Sequence, residues 1–224
     1  MKRSGIGKAA HRPLFLYAVV RAKESAALKM PGGGVRAVSH GSIAAIVGSA
    51  GRQAADSVES ALRHDRIVQE VFLRCGSVIP FGLGPEFQSE DEIRRMIKIN
   101  ARPLSAHLKR FHDRVEMGLK AITTSRRIPG LERIHLLAPR VADRNEKVEK
   151  RGGQMVFEGC YLLPRRSIDC YWSALDEIRR LSPSMPIIGS GPWAPFSFCD
   201  LVLRRATDEQ DAGDTCGRFA EARG

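Results

Sequence analysis

The chain has 224 residues, 43% of them hydrophobic, and a formal net charge of +11. That length carries one large domain or two small ones with ample core, and the apolar content excludes a disordered chain. The longest apolar runs, such as Leu14–Val20 and Ile43–Val47, are far too short to span a bilayer.

The elements follow in chain order. Residues 1–12 lack periodicity and read as a disordered arm. Leu14–Val20 has the length and composition of a buried strand. Residues 35–40 and 42–48 flank Gly41 and read as a hairpin. Ser57 is the expected N-cap of a helix ending at Gly76, with Val58, Ala61, Leu62, Val68, Val71, Phe72 and Cys75 at helical spacing. Residues 77–84 read as a strand running into a turn. Ser89 opens a second helix with Glu90, Asp91 and Glu92 in its first turn, and Pro103 should kink or split it. Its stripe is Ile93, Met96, Ile97, Ala101, Leu104, Leu108 and Phe111.

A strand is expected over 115–123, then a charged loop over 125–153 with one short element at Ile134–Ala138. A strand over 155–164, a helix over 168–181 and a strand over 185–190 complete the pattern. The helix should bury Ile168, Trp172, Leu175, Ile178 and Leu181. Strands and hairpins alternating with single helices predict an α+β class: two domains, each a sheet with helices packed on it, the C-terminal one ferredoxin-like. The expected bounds are a basic arm at 1–12, a first domain at 13–113, a second at 114–203 and a flexible tail at 204–224.

Charge is unevenly spread. Residues 1–36 hold eight Lys/Arg against Glu24 alone, whereas the last 25 residues hold four Arg against six Asp/Glu. The basic arm makes a nucleic-acid-binding α+β protein the alternative function, although aromatic residues are scarce there and no nucleic-acid motif follows. The five Cys (75, 160, 170, 199, 216) form no CxxC, and no signal-peptide pattern follows the N-terminus, so reduced thiols in the cytoplasm are expected.

Catalytic patterns are scarce. Residues 5–8, GIGK, lack the preceding strand and full spacing of a phosphate loop. His107 and His112 are five apart, which does not make a helical metal pair. His64, on the apolar side of its helix, could serve as ligand or base, but a hydrogen-bonded interior histidine is the commoner role. The scan favours a non-enzyme with no cofactor, no metal and no membrane partner.

The most unusual stretch is Ser190–Phe198, SGPWAPFSF. Pro192 and Pro195 exclude a helix interior or central strand, yet Trp193, Phe196 and Phe198 are residues that favour burial. The segment is either a plug sealing a core or a docking surface. The rarity of large exposed apolar patches favours the plug, under which Trp193→Ala should lower stability.

Three stretches together resemble the gas vesicle protein family GvpL/GvpF. They are residues 64–93, HDRIVQEVFLRCGSVIPFGLGPEFQSEDEI, then 115–122, VEMGLKAI, and the terminal SGPWAPFSF. Family members carry a helical His, a PLRFGT-like segment, a VE-x-G-x-K strand and a GPWPPYSF-like ending. Here the second segment reads Ile79-Pro80-Phe81-Gly82-Leu83-Gly84, without its Arg, and Ala194 and Phe196 replace Pro and Tyr, which marks a divergent member. The resemblance covers about residues 14–203. It implies a two-domain α+β protein that acts as an accessory or minor structural protein of gas vesicle formation. It also implies binding to the small hydrophobic shell protein and to other accessory proteins, with Pro80, Phe81, Trp193, Phe196 and Phe198 as the candidate partner-binding residues.

Overall fold

The computed structural model describes residues 13–26, 28, 34–49, 58–83, 86–123 and 127–204. The expected arm at 1–12, the N-cap Ser57 and the tail from 205 onward lie outside the described residues. In chain order the elements are β1 (Leu14–Arg21), α1 (Ala22–Ser25), β2 (Val35–His40), β3 (Ile43–Ser49), α2 (Val58–Arg74), β4 (Val78–Pro80) and β5 (Glu86–Phe87). Then come α3 (Glu90–Ile99), α4 (Ala101–Arg110), β6 (Arg114–Thr123), α5 (Leu131–Leu137), β7 (Arg144–Arg151), β8 (Gln154–Pro164), α6 (Ile168–Leu181) and β9 (Ile187–Trp193). The fold is α+β, with two sheets and helices packed on them. The described residues divide into two compact units, one drawn from 13–67, 81–105 and 201–204, the other from 68–80 and 106–200.

In the first unit β1 pairs antiparallel with β3, from Leu14↔Ser49 to Arg21↔Ile43, and β2 pairs with β3 on its far side. Gly41, at φ 58°, makes the hairpin turn in the left-handed region that only glycine enters freely. β1 and β3 are apolar almost throughout because both their faces are covered. β5 adds to β1 through Leu14↔Phe87. α3 packs on β2 and β3 and buries Ile93, Met96 and Ile97. Ser89 caps it: its Oγ accepts from the Glu92 N–H at 3.2 Å, and Glu92 Oε2 accepts from the Gln88 N–H at 2.6 Å.

The expected break near Pro103 is present. α3 ends at Ile99 and α4 begins at Ala101, with Pro103 in the first turn, where its missing N–H leaves no bond unmade. Asn100 fills the joint, 1% exposed. Its Nδ2 donates to Met96 O (2.8 Å) and Arg204 O (2.9 Å), and its Oδ1 accepts from the Arg204 N–H (3.0 Å). One buried amide thus satisfies the helix end and holds residue 204 by both its backbone groups.

α2 departs from its expected stripe. Val58, Ala61 and Leu62 are exposed, and the covered face is His64, Ile67, Val68, Val71, Phe72 and Cys75. By the helical period Val58 and Leu62 point away from the line through His64, Val68 and Val71, whereas Ala61 shares that line and is exposed because cover over α2 begins at His64.

The second unit has the order β7-β8-β6-β9, all neighbours antiparallel. With the chain sequence β6-α5-β7-β8-α6-β9, this is ferredoxin-like topology. α6 spans the expected 168–181 but buries Tyr171, Ala174, Leu175 and Ile178, while Leu181 lies exposed. The expected loop at 125–153 holds α5 and also β7, a full edge strand. β7 reads RNEKVEKR, and with no apolar alternation its only signal is the partner β8.

His64 is a satisfied interior histidine at one nitrogen only. Its Nε2–H donates to Phe81 O at 2.6 Å, since a carbonyl can only accept, and its ring lies 5.0 Å from that of Tyr17. Nδ1 is buried without a hydrogen-bond partner. Burial pushes the imidazole pKa below 6.5, against the opposing pull of Phe81 O and Asp65. Below 6.5 the unfolded chain binds a proton that the folded chain refuses, so stability is full above 6.5 and falls as pH drops through that value. Denaturation between pH 7.5 and 5 should show this loss, and His64→Gln should flatten the slope; an unchanged slope in the variant would assign it to other groups.

Candidate functional site

The terminal motif is built on β6. Glu116 is 7% exposed, although its side chain is on the sheet face turned away from α6. What covers it is the segment after β9. Glu116 Oε2 accepts from the Ser197 N–H at 2.8 Å and Oε1 accepts from Ser197 Oγ at 2.7 Å. Both carboxylate oxygens therefore hold one residue of the motif, by charge-assisted hydrogen bonds. Cys160, opposite Gly118 on β8, completes this cluster; burial pushes its thiol up, which disfavours a nucleophilic thiolate.

Two glycines allow the close fit. A Cβ at Gly118 would lie 2.5 Å from Ser190 Oγ. Gly191 sits at φ 113°, next to a cis bond to Pro192, and a Cβ there would lie 2.8 Å from Glu116 O. Tyr171 Oη donates to Gly118 O at 2.6 Å, tying α6 to the same point of β6. Two residues further along the same face of β6, Lys120 pairs with Glu158 (2.9 Å), which also pairs with Lys147 (2.9 Å). Hydrogen bonds from Lys120 and Lys147 hold the Glu158 carboxyl down to about 2.

The motif itself divides into two sets. Ala194, Pro195 and Phe198 are buried, whereas Trp193 and Phe196 remain 43% and 38% exposed. The buried aromatic of the segment is thus Phe198, and Trp193 and Phe196, which the plug reading set over the end of a sheet, stand at the surface. Arg110 Nη1 reaches Phe198 O at 3.4 Å, and His107 Nε2 lies 2.9 Å from Asp200 Oδ1, so the chain is held at and just beyond Phe198. Pro80 and Phe81 are buried, Phe81 at 8% exposed. Sequence reasoning named VEMGLK and SGPWAPFSF as separate stretches. It missed that Glu116 and Ser197 meet, because their separation of 81 residues leaves no local trace.

Among the described residues no group of three His, Cys, Asp or Glu is placed to hold a metal ion. Nor is any described helix long and apolar enough to cross a membrane.

The comparison with known proteins agrees with these motifs. The family model described as gas vesicle synthesis protein GvpL/GvpF matches residues 13–152 and 131–200. The chain belongs to the GvpL/GvpF family. Gas vesicle protein F2 of Halobacterium salinarum is 23% identical over 206 residues, covering 85% of this chain and 93% of its own. Gas vesicle protein F of Haloferax mediterranei is 25% identical over 150 residues, covering 62% and 69%. The crystal structure of GvpF from Anabaena sp. superposes with a TM-score of 0.69 at 12% identity, over 85% of this chain and 97% of that one. GvpF from Microcystis aeruginosa gives 0.65 at 13%, over 84% and 99%. Low identity with shared fold fits a divergent GvpL/GvpF member with an accessory role in gas vesicles.

The Glu116–Ser197 pair yields a graded prediction. Ser197→Ala removes one donor and should cost about 1 kcal/mol, the net scale of one hydrogen bond. Glu116→Ala leaves both Ser197 donors without their acceptor and should cost about 2–3 kcal/mol. In a double-mutant cycle by urea denaturation, the combined variant should lose less than the sum. Additive losses would show that the two residues act independently.

Proposed function

We propose that this protein acts in gas vesicle formation by binding the hydrophobic shell protein and other accessory proteins, at the gas vesicle in the cytoplasm, through Trp193 and Phe196. The observation that carries the reading is the division of the terminal motif. Phe198, Ala194 and Pro195 are buried, and Glu116 holds Ser197, so the backbone is fixed while two large aromatics remain at the surface. Aromatic anchors presented on a rigid backbone lose little side-chain freedom on binding and are the typical hot spots of an interface. Phe198, Pro80 and Phe81 then support the fold from which the surface is presented.

No catalytic role is needed for this activity. Among the described residues, several buried ionisable groups are engaged in structure. Tyr161, for example, donates to Glu146 at 2.7 Å, and burial raises its pKa above the ordinary tyrosine range.

The test separates the two kinds of aromatic. Trp193→Ala and Phe196→Ala together should shift the melting temperature little but weaken co-purification with the shell protein, each anchor contributing about 1–2 kcal/mol. Phe198→Ala should cost about 3–5 kcal/mol of stability. Full retention of shell protein by the double variant would remove these residues from the interface.

A further inference from the structure

The second sheet ends in two unlike edges. β7 on one side carries Arg144, Glu146, Lys147, Glu149, Lys150 and Arg151, a density of charge that discourages pairing with another chain. β9 on the other side reads IIGSGPW and carries no charge, and its described pairing is with β6 alone. Within one sheet, one edge is protected against strand addition and the other is not.

The backbone of β9 is turned for such an addition. Ile122 N–H donates to Pro186 O at 3.0 Å. Hydrogen-bonded and non-hydrogen-bonded pairs alternate along an antiparallel ladder. Ile188 opposite Lys120 and Ser190 opposite Gly118 therefore direct their N–H and C=O toward β6. Ile187 and Gly189 direct theirs outward. Beyond them Gln69 Nε2 donates to Pro192 O at 3.2 Å, which closes the far end. The open stretch runs from Ile187 to Gly191.

Its side chains are equally uncommitted. Gly189 faces α6, where a Cβ would run into Leu175 and Trp172, so Ile188 and Trp193 share the opposite face. Ile188 is 66% exposed, and Trp193 and Phe196 continue the apolar row. The nearest charge, Lys120, is already paired with Glu158.

We propose that β9 is a docking edge that takes an extended, uncharged, apolar segment of the shell protein as an added strand, with alternate side chains against Ile188, Trp193 and Phe196. The inference rests on the shell-binding reading and deepens it by assigning the mode of binding. An extended occupant is required because only an unpaired strand offers backbone groups to match those of Ile187 and Gly189; a helix has spent its own. An uncharged occupant is required because a charge set over Ile188 and Trp193 would lose its hydration with no partner.

The experiment is amide hydrogen exchange of the full chain, alone and with purified shell protein from the same host, alongside the Ile188→Glu chain. Ile188 is 66% exposed, so a glutamate there keeps its hydration in the free chain and the fold tolerates it. The complex should slow exchange at Ile187 and Gly189, while Ile188 and Ser190 are already slow in the free chain. Ile188→Glu should keep its melting temperature and weaken binding about tenfold, the scale of one interface anchor. A complex that leaves exchange at 187 and 189 unchanged overturns strand addition and leaves the shell-binding reading standing. Absence of any complex removes both. Slowing at 187 and 189 in the chain alone that grows with protein concentration assigns the edge to a second copy and overturns the proposed occupant.

Discussion

A carboxylate taken out of water must be matched by donors or it drives the chain apart. Glu116 is in that position on the central strand β6, and both of its oxygens are matched by Ser197. Everything between β9 and Asp200 follows from this requirement. For Ser197 to reach β6, the chain leaving β9 must fold back over its own sheet. Gly191 supplies the left-handed backbone that starts the return, and Gly118 supplies the space that Ser190 occupies. Pro195 and Phe198 then come down as buried ballast, and the intervening Trp193 and Phe196 are left outward. The exposed aromatics are thus a geometric consequence of satisfying one buried charge.

The parts of the fold that were legible in the sequence are those whose side chains repeat. β1, β3, β6 and β8 carry apolar runs, and α3 with α4 carries the stripe from Ile93 to Phe111, so length and period sufficed. The break near Pro103 followed from the missing N–H. β7 was illegible because an edge strand with both faces in solvent has no period to show; its six charges read as a loop. The start of α2 misled for the opposite reason. Val58, Ala61 and Leu62 look like core residues, but cover over α2 begins only at His64, which its spacing already set on the apolar side.

The candidate site was legible as composition and not as geometry. The Pro and aromatic content of SGPWAPFSF announced an irregular, apolar segment, and the family resemblance fixed its importance. Which aromatics are buried depends on where Glu116 sits, and no local pattern reports a contact between residues 81 positions apart. The plug reading sets Trp193 and Phe196 over the end of a sheet, whereas the buried aromatic is Phe198. The hydrogen bonds to Ser197 instead impose a tight turn over Phe196–Phe198, and successive residues of a tight turn cannot all point inward.

The same return of the chain explains why β9 can stay an uncharged edge. Charges at β7 form a ladder with β8 and β6, from Arg151 and Glu149 through Lys147 and Glu158 to Lys120. That ladder stops one strand short of β9, where Ile188 stands opposite Lys120 without a charge of its own. An isolated charge there would gain little from the already paired Lys120 and would add desolvation to any contact made along the edge. Pro192 and the Gln69 bond limit the unpaired stretch to about five residues, short enough to restrain indiscriminate sheet growth yet long enough for a specific strand. Protection by shortness at β9 and by charge at β7 are two solutions to the same edge problem, and only the first leaves backbone groups available to a partner.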